Sequence, residues 1–413
     1  MMVSPISTPV SYALPTEAIL QDQAQLTNLD QQMATGQAVN SPADNPSAAA
    51  GSLQLEQQIS ALNLDGKTAG LAQSSLEDLS TTVGSINTLV QSLQQTALTA
   101  SNGTTNSQDR QALADSVNQD LQQLLQLGNT QTPAGNYLLS GSQSNTQPFI
   151  SNGSGVAYDG DAGTNMLQIA PGLTVPTSLS GQFLLMDLPT GNGYASVSAS
   201  GSNSGTATVS VGGVSNLAEA AAMDTNNQSY TLAFSGTTSG VSHVTYSVTN
   251  VSGSVVASGL YASGATIEVA GSQFTINGNP ANGDSFSINP AKNQSLFQTV
   301  SDMANLLSTG ASNGPGGAQF DQGMSNVISN LNQGLTRLLT GQAVIGSSLA
   351  QINAISNINQ TQSDNDQIAQ NGLISANLPA VATQFEQGST ALQAALSAFS
   401  AMQGMNLFST LKF

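Results

Sequence analysis

The chain has 413 residues, with 23 acidic side chains against 5 basic ones, a formal net charge of −18 and no cysteine. Such an acidic chain repels the phosphate backbone of nucleic acids and anionic membrane surfaces, so neither is an expected partner. The missing cysteine excludes disulfides, thiolate catalysis and cysteine-ligated metals. The length is sufficient for two or three domains.

The first twenty residues contain three prolines and no basic residue, unlike a cleaved secretory signal, so none is expected. An amphipathic helix is predicted where these residues end, because Ile19, Leu26, Leu29 and Met33 are spaced for one helix face. The following stretch, TGQAVNSPADNPSAAA (residues 35–50), contains two prolines and an Asp-Asn pair. These residues predict a break before the next helix.

Residues 47–100 are predicted to form one long helix, roughly 80 Å long at about 1.5 Å per residue. Apolar residues recur there at steps of three and four, the spacing of a coiled-coil seam. The seam positions are Leu55, Ile59, Leu62, Ala69, Leu76, Leu79, Val83, Ile86, Val90, Leu93 and Ala97. The segment SNGTTNSQDRQ ends this helix, and a further helix is predicted after it. Its apolar stripe is Leu113, Val117, Leu121 and Leu124.

Between residues 148 and 290 the pattern changes to alternation with period two, and Gly, Ser, Thr and Val dominate. Segments such as GTATVSVGG, QSYTLAFSG and SHVTYSVTN are typical of short strands separated by turns. One or two antiparallel β domains are predicted here. The helical pattern then returns and ends in a long amphipathic helix. Its stripe includes Val381, Phe385, Leu392, Phe399 and Met402.

The two ends of the chain are alike, and this likeness predicts the fold. Neither terminal helix can bury its apolar stripe alone, so we expect the two to pair, with neighbouring subunits covering what remains. The predicted class is α+β: long terminal α-helices form a helical bundle or coiled-coil rod, with an inserted antiparallel β domain. The predicted segments are an N-terminal assembly helix and bend (1–46), two halves of a helical rod domain (47–147 and 291–375), a β-rich outer region (148–290) and a C-terminal assembly helix (376–413).

The segment LTNLDQQMATGQAVNSPADNPSAAAGSLQLEQQI resembles the first block of the flagellin superfamily, where a helix ends at Thr-Gly and a Ser-Pro-x-Asp-x-Pro turn precedes a long helix. The resemblance implies a bend between the terminal helix and the rod. Its residues are Thr35, Gly36, Pro42, Asp44, Asn45 and Pro46. Asp44 and Asn45 are expected to supply capping oxygens, and Pro46 to lie near the first helical position. The family usually has a basic pair where this chain has Gln37 and Ala38, so no salt bridge is expected from the bend.

Three further segments are similar to the branch of the superfamily that joins the flagellar hook to the filament. They are SQDRQALADSVNQDLQQLLQLGNTQTPAGNYLLSGSQSNTQPF, VAYDGDAGTNMLQIAPGLTVPTSLSG and ALQAALSAFSAMQGMNLFSTL. In the last, Leu407 and Phe408 match a Leu-Phe site near the family's C-terminus. Residues 183–264 match no motif of the family. Filament flagellin, which shares the chain ends, is the alternative, and the first two segments favour the junction branch.

The resemblance implies a structural protein of the bacterial flagellum that is exported without a cleaved signal peptide and acts outside the cell. Its implied partners are further copies of itself in a ring or short helical layer, another hook-associated protein on the hook side, flagellin on the filament side and an export chaperone. Assembly is expected through Ile19, Leu26, Leu29, Met33, Val381, Phe385, Leu392, Phe399, Met402, Leu407 and Phe408. We expect these end segments to be disordered in the monomer and to fold on assembly.

The residue patterns predict no enzyme, no cofactor and no metal site. The segment YDGDAG, with Asp159 and Asp161, lacks the ligand positions of a full calcium loop, and a strand turn is expected instead. The lone His243 has no recognisable partner for general-base catalysis. An exported enzyme or binding module on a helical stalk is therefore the less expected alternative.

Overall fold

The computed structural model describes residues 8–102, 105–153, 155–236, 244–311 and 314–409, with side chains from residue 13 to residue 403. The helices are α1 (Thr8–Thr35), α2 (Pro46–Ala100), α3 (Ser107–Gly128), α4 (Leu217–Thr225), α5 (Leu296–Thr309), α6 (Gly314–Ile374) and α7 (Leu378–Ser409). The strands are β1 (Phe149–Asn152), β2 (Gly155–Tyr158), β3 (Met166–Ala170), β4 (Leu173–Pro176), β5 (Leu188–Pro189), β6 (Ala195–Ala199), β7 (Thr208–Val214), β8 (Tyr230–Gly236), β9 (Val244–Asn250), β10 (Val255–Leu260), β11 (Ala265–Val269), β12 (Ser272–Asn277), β13 (Ser285–Pro290) and β14 (Asn293–Gln294).

Every strand pair among the described residues is antiparallel. The largest sheet has the order β10-β9-β8-β13-β6, a second has the order β11-β12-β7, and the remaining strands form short two-stranded ladders. Phe234, Phe274 and Phe286 lie in the core of this region, and the rings of Phe234 and Phe286 meet edge to face at 6.1 Å. The predicted fold class, long terminal helices with an inserted antiparallel β domain, is confirmed.

The chain forms two compact units, residues 1–67 with 355–413 and residues 68–354. The first, called the terminal unit, contains α1, α7, the beginning of α2 and the end of α6. The second, called the central unit, contains the rest of α2 and α6, together with α3, α4, α5 and the strands. The five-segment division from the sequence stays a prediction.

In the central unit, the seam predicted on α2 is the centre of the helical core. Its residues Leu76 to Ala97 are at most 1% exposed. Helix α6 runs antiparallel to α2. Gln94 donates to Asn332, whereas Gly84, ten residues earlier on α2, faces Gln342, ten residues later on α6. On α6 the buried residues recur every seven positions at Leu331, Leu338, Ile345 and Ile352. This repeat is the spacing of a coiled-coil seam.

A row of amide side chains on α6 holds the β strands in the central unit. This amide row consists of Gln319, Gln322, Asn326, Asn330 and Gln333, spaced for one helix face. Gln322 pairs with both main-chain groups of Val209, accepting from its N–H at 2.7 Å and donating to its carbonyl at 2.8 Å. The other four bond to the main chain of Gly201, Val197 and Gly191. The amide row therefore binds the β region through its main chain.

Candidate assembly site at the chain ends

Helices α1 and α7 of the terminal unit pack against each other in opposite directions. Their contact buries Ile19, Leu29 and Val381, which are only 8%, 7% and 7% exposed. Gly388 makes close approach possible, because a Cβ atom there would lie 3.2 Å from the side chain of Leu26. The pairing of the terminal helices expected from the sequence is thus present in the structure.

The predicted assembly residues lie mainly on this packed face. Ile19, Leu29 and Val381 are buried in the pair. Leu26, Met33, Phe385, Leu392, Phe399 and Met402 are partly buried. Leu407 and Phe408 lie within α7, but their side chains lie outside the described residues. The role of all these residues in assembly stays a prediction.

The two helices also expose several large apolar side chains. Leu14 and Leu20 on α1 are 64% and 60% exposed, and Leu378 and Leu396 on α7 are 46% and 45% exposed. Helices of this kind gain most of their stability from packing an apolar face against a partner. The pair as described therefore leaves apolar surface that further helices could cover.

Helix α1 ends at the bend because of Thr35 and Gly36. Gly36 has φ of +70°, a left-handed conformation that favours glycine at a helix C-terminus, and its N–H donates to Gln32. The Thr35 hydroxyl donates to the Gln31 carbonyl and accepts from the N–H of Gln37. These bonds satisfy the end of the helix and turn the chain.

The bend is tied to the connection between α6 and α7 by main-chain hydrogen bonds. Ala38 N–H donates to the Ile374 carbonyl at 2.7 Å, and Ala376 N–H donates to the Gly36 carbonyl at 2.9 Å. Gln37 and Ser375 form a short antiparallel bridge between them. The junction thus needs no charged side chain, which explains how the bend can carry Gln37 and Ala38 instead of a basic pair.

The two predicted capping residues have different roles. Asn45 caps α2, since its side-chain oxygen accepts from the N–H of Ala48 at 3.1 Å, and Pro46 is the first residue of the helix. Asp44 does not cap the helix. Its carboxylate accepts from the N–H groups of Asn40 and Ser41, and so closes the turn that contains Pro42. The expectation that both residues cap α2 is therefore wrong for Asp44, because its carboxylate binds N–H groups of its own loop instead.

In the central unit, the motifs containing Ser142 and Tyr158 form one hydrogen-bonded cluster. The Tyr158 hydroxyl lies 3.0 Å from the Leu139 carbonyl and 2.9 Å from the Asp161 carbonyl. The Asp161 carboxylate accepts from the Ser142 hydroxyl and N–H and from the N–H of Gly163. These bonds, the Ser142 hydroxyl foremost, hold the pKa of Asp161 below its usual value. The YDGDAG segment is thus joined by hydrogen bonds to the loop that contains Leu139 and Ser142.

We expect Asp161→Asn to lower the melting temperature at pH 7. Because the pKa of Asp161 is lowered in the folded state, its ionised form stabilises the fold above about pH 4, and this contribution is lost as the pH falls through the lowered pKa. The difference in melting temperature between the wild type and the variant should therefore shrink from pH 7 to pH 3. Asp159→Asn, at an exposed position in the same segment, is the matched control. An equal difference at both pH values would contradict the assignment.

Within the described ranges, no group of His, Asp and Glu side chains is arranged to hold a metal ion. No helix there is long and apolar enough to cross a lipid bilayer. His243 lies outside the described residues. Sequence reasoning missed Gly388 and the main-chain pairing at Ser375. Gly388 left a signal, because it continues the apolar stripe three residues after Phe385, whereas main-chain pairing leaves none.

Comparisons with known proteins point to the flagellum. Residues 6–144 match the family model described as the bacterial flagellin N-terminal helical region. Over 146 residues the chain is 34% identical to the flagellar hook-associated protein 3 of Escherichia coli (strain K12), a match that covers 35% of this chain and 45% of that protein. The chain thus matches less than half the length of this curated relative.

Two crystal structures from Legionella pneumophila are similar over most of the fold. The flagellar hook-associated protein-3 is 29% identical with a TM-score of 0.70, covering 78% of this chain and 98% of that one. The flagellar junction protein is 29% identical with a TM-score of 0.68, covering 78% of this chain and 99% of that one. The resemblance to the hook-filament junction branch of the flagellin superfamily is confirmed.

Proposed function

We propose that the chain is a structural component of the bacterial flagellum, an adaptor that connects the hook to the filament and assembles through its terminal helices. The observation that carries the proposal is the likeness to the Legionella junction protein over nearly that protein's whole length. The paired terminal helices support it, because they leave large apolar side chains exposed.

The proposal includes the partners and the location. Copies of the chain form a ring or short helical layer, with another hook-associated protein on the hook side and flagellin on the filament side. An export chaperone delivers the chain to the flagellum. The end segments fold fully only on assembly, when neighbouring copies cover Leu14, Leu20 and Leu396 and offset the cost of ordering the helices.

The adaptor acts without catalysis in this proposal. The polar groups of the cluster at Tyr158 bond to one another and to main-chain carbonyls. A site of this kind fixes loops, whereas catalysis needs groups aimed at a substrate. The side chains of the amide row likewise form hydrogen bonds to the main chain of the β region.

Immunogold electron microscopy of intact flagella tests the location. Antibodies against the β region should label one point, the boundary between hook and filament. Label along the whole filament would instead support the alternative, filament flagellin. The hook alone, in a strain that makes no filament, should still carry the label at its distal end.

A further inference from the structure

A polar stripe interrupts the seam of α6 in the terminal unit. The buried positions Leu331, Leu338, Ile345 and Ile352 are followed at the same seven-residue spacing by Asn359 and Asp366. Ser363 and Gln370 lie on the same face. We call Asn359, Ser363, Asp366 and Gln370 the polar stripe. Polar groups thus occupy positions where a coiled coil usually has aliphatic residues.

Two atoms of the polar stripe are buried without a hydrogen-bond partner among the described residues, Asp366 Oδ2 and Asn359 Nδ2. Asp366 is only 6% exposed, and its other carboxylate oxygen accepts from Gln362 on its own helix at 2.8 Å. A buried polar group without a partner destabilises the state that buries it. The paired state of the helices therefore carries a penalty at two successive seam positions.

The facing part of α2 compensates poorly for this penalty. Gln370 donates to Ser52 at 3.3 Å, and the Gly51 backbone lies close to Leu373. Between these contacts and the end of the unit, Leu55, Ile59 and Leu62 on α2 are only partly buried.

Four large aliphatic side chains of the two segments are exposed to solvent. Leu53, Leu64, Ile358 and Ile368 are 57%, 63%, 61% and 70% exposed. The two segments thus bury unpartnered polar atoms of α6 and leave four large aliphatic side chains in solvent, and both features are unfavourable for a two-helix pair.

We propose that the polar stripe makes the pairing of residues 46–67 with residues 355–374 conditional. In the free subunit the two segments exchange readily between paired and separated states, and assembly shifts the balance by covering the exposed aliphatic side chains. The purpose of this exchange rests on the proposed function, whereas the exchange itself is a property of the isolated chain. The polar stripe weakens the pairing of the two segments, and so keeps them available for assembly until neighbouring copies bind.

Hydrogen-deuterium exchange of the full-length monomer tests the proposal directly. In the double variant Asn359→Leu/Asp366→Leu, amide exchange in residues 47–67 and 355–373 should slow roughly tenfold or more relative to wild type, because the unpaired buried groups are removed. Exchange in α2 beyond Leu76 should not change. Unchanged or faster exchange in the variant, or wild-type segments already as protected as the central unit, would overturn the proposal.

The matched control is Asn357→Leu/Asp364→Leu. Both positions are exposed on the same helix, and Asp364 accepts from Gln360 just as Asp366 accepts from Gln362. The control should leave exchange at its wild-type rate. Slowing as large as in the Asn359→Leu/Asp366→Leu variant would mean that added hydrophobicity is the cause, and would overturn the proposal.

Incorporation into flagella tests the link between the exchange of the two segments and assembly, separately from the proposed function. The stabilised variant should incorporate more slowly than wild type in a strain that lacks the native chain. Normal incorporation despite slowed exchange would overturn the link to assembly. Failure of the wild-type chain itself to incorporate would contradict the proposed function, while the exchange result would still stand or fall independently.

Discussion

Replacing Leu29 and Val381 together by serine is expected to abolish incorporation of the chain into flagella. Both side chains are 7% exposed, and they are buried in the contact between α1 and α7. Removing a buried aliphatic side chain costs about 2–5 kcal/mol, and each serine adds a hydroxyl that the apolar contact cannot pair. Two such losses of free energy are larger than the stability of a single helix pair.

The measurement is complementation of a strain that lacks the chain, with the amount in purified hook-filament assemblies as the readout. Thermal unfolding of the central unit should stay unchanged, because both substitutions lie in the terminal unit. Leu217→Ser, at a 61% exposed position on α4, applies the same chemistry away from the chain ends and should incorporate normally. Normal incorporation of the double variant would show that the helix pair is not the assembly element.

Gln322→Ala is expected to give the largest loss of stability among changes to the amide row. Gln322 is 2% exposed and bonds both main-chain groups of Val209, on the edge strand β7. Truncation leaves a buried N–H and a buried carbonyl without partners, at about 1–3 kcal/mol each. We expect the free energy of unfolding of the central unit to fall by about 2 kcal/mol or more.

Denaturant unfolding followed by circular dichroism measures this loss, and limited proteolysis should show faster cleavage within the β strands. Gln351→Ala, at an exposed position on the same helix, is the control and should change stability little. A loss no greater than that of the control would mean that water replaces the amide without cost.

The helical framework could be predicted from the sequence because its signal is local and repeated. The step from Leu76 through Val83 to Leu93 identifies the buried face of α2, since each residue repeats the same geometric relation to its neighbours. The bend was predictable for a similar reason. Asn45 and Pro46 act within one turn of the helix they begin, so their role depends little on the rest of the fold.

The contacts that sequence reasoning could not predict depend on residues far apart in the chain. Gln322 reaches Val209 only because α6 crosses the edge of β7, and no local pattern distinguishes Gln322 from an exposed glutamine. Asp366 is similar, since no local pattern distinguishes this buried aspartate from Asp364, which is exposed on the same helix. Asp44 shows a smaller failure. A carboxylate beside a helix start was expected to cap it, but two N–H groups of its own turn lie within reach.

The arrangement suits an adaptor. The central unit has a continuous aliphatic seam and the amide row, so its parts are held before assembly. The terminal unit has a helix pair with exposed leucines and the polar stripe. Stability is thus concentrated away from the segments proposed to assemble.

Quantitative mass spectrometry of purified hook-filament assemblies tests the central claim most directly. The measurement is the copy ratio of this chain to the hook protein and to the main filament protein, across filaments of different length. The adaptor account predicts a count far below both, fixed per filament whatever the filament length. A count that grows in proportion to filament length would contradict the account and identify the chain as a filament subunit.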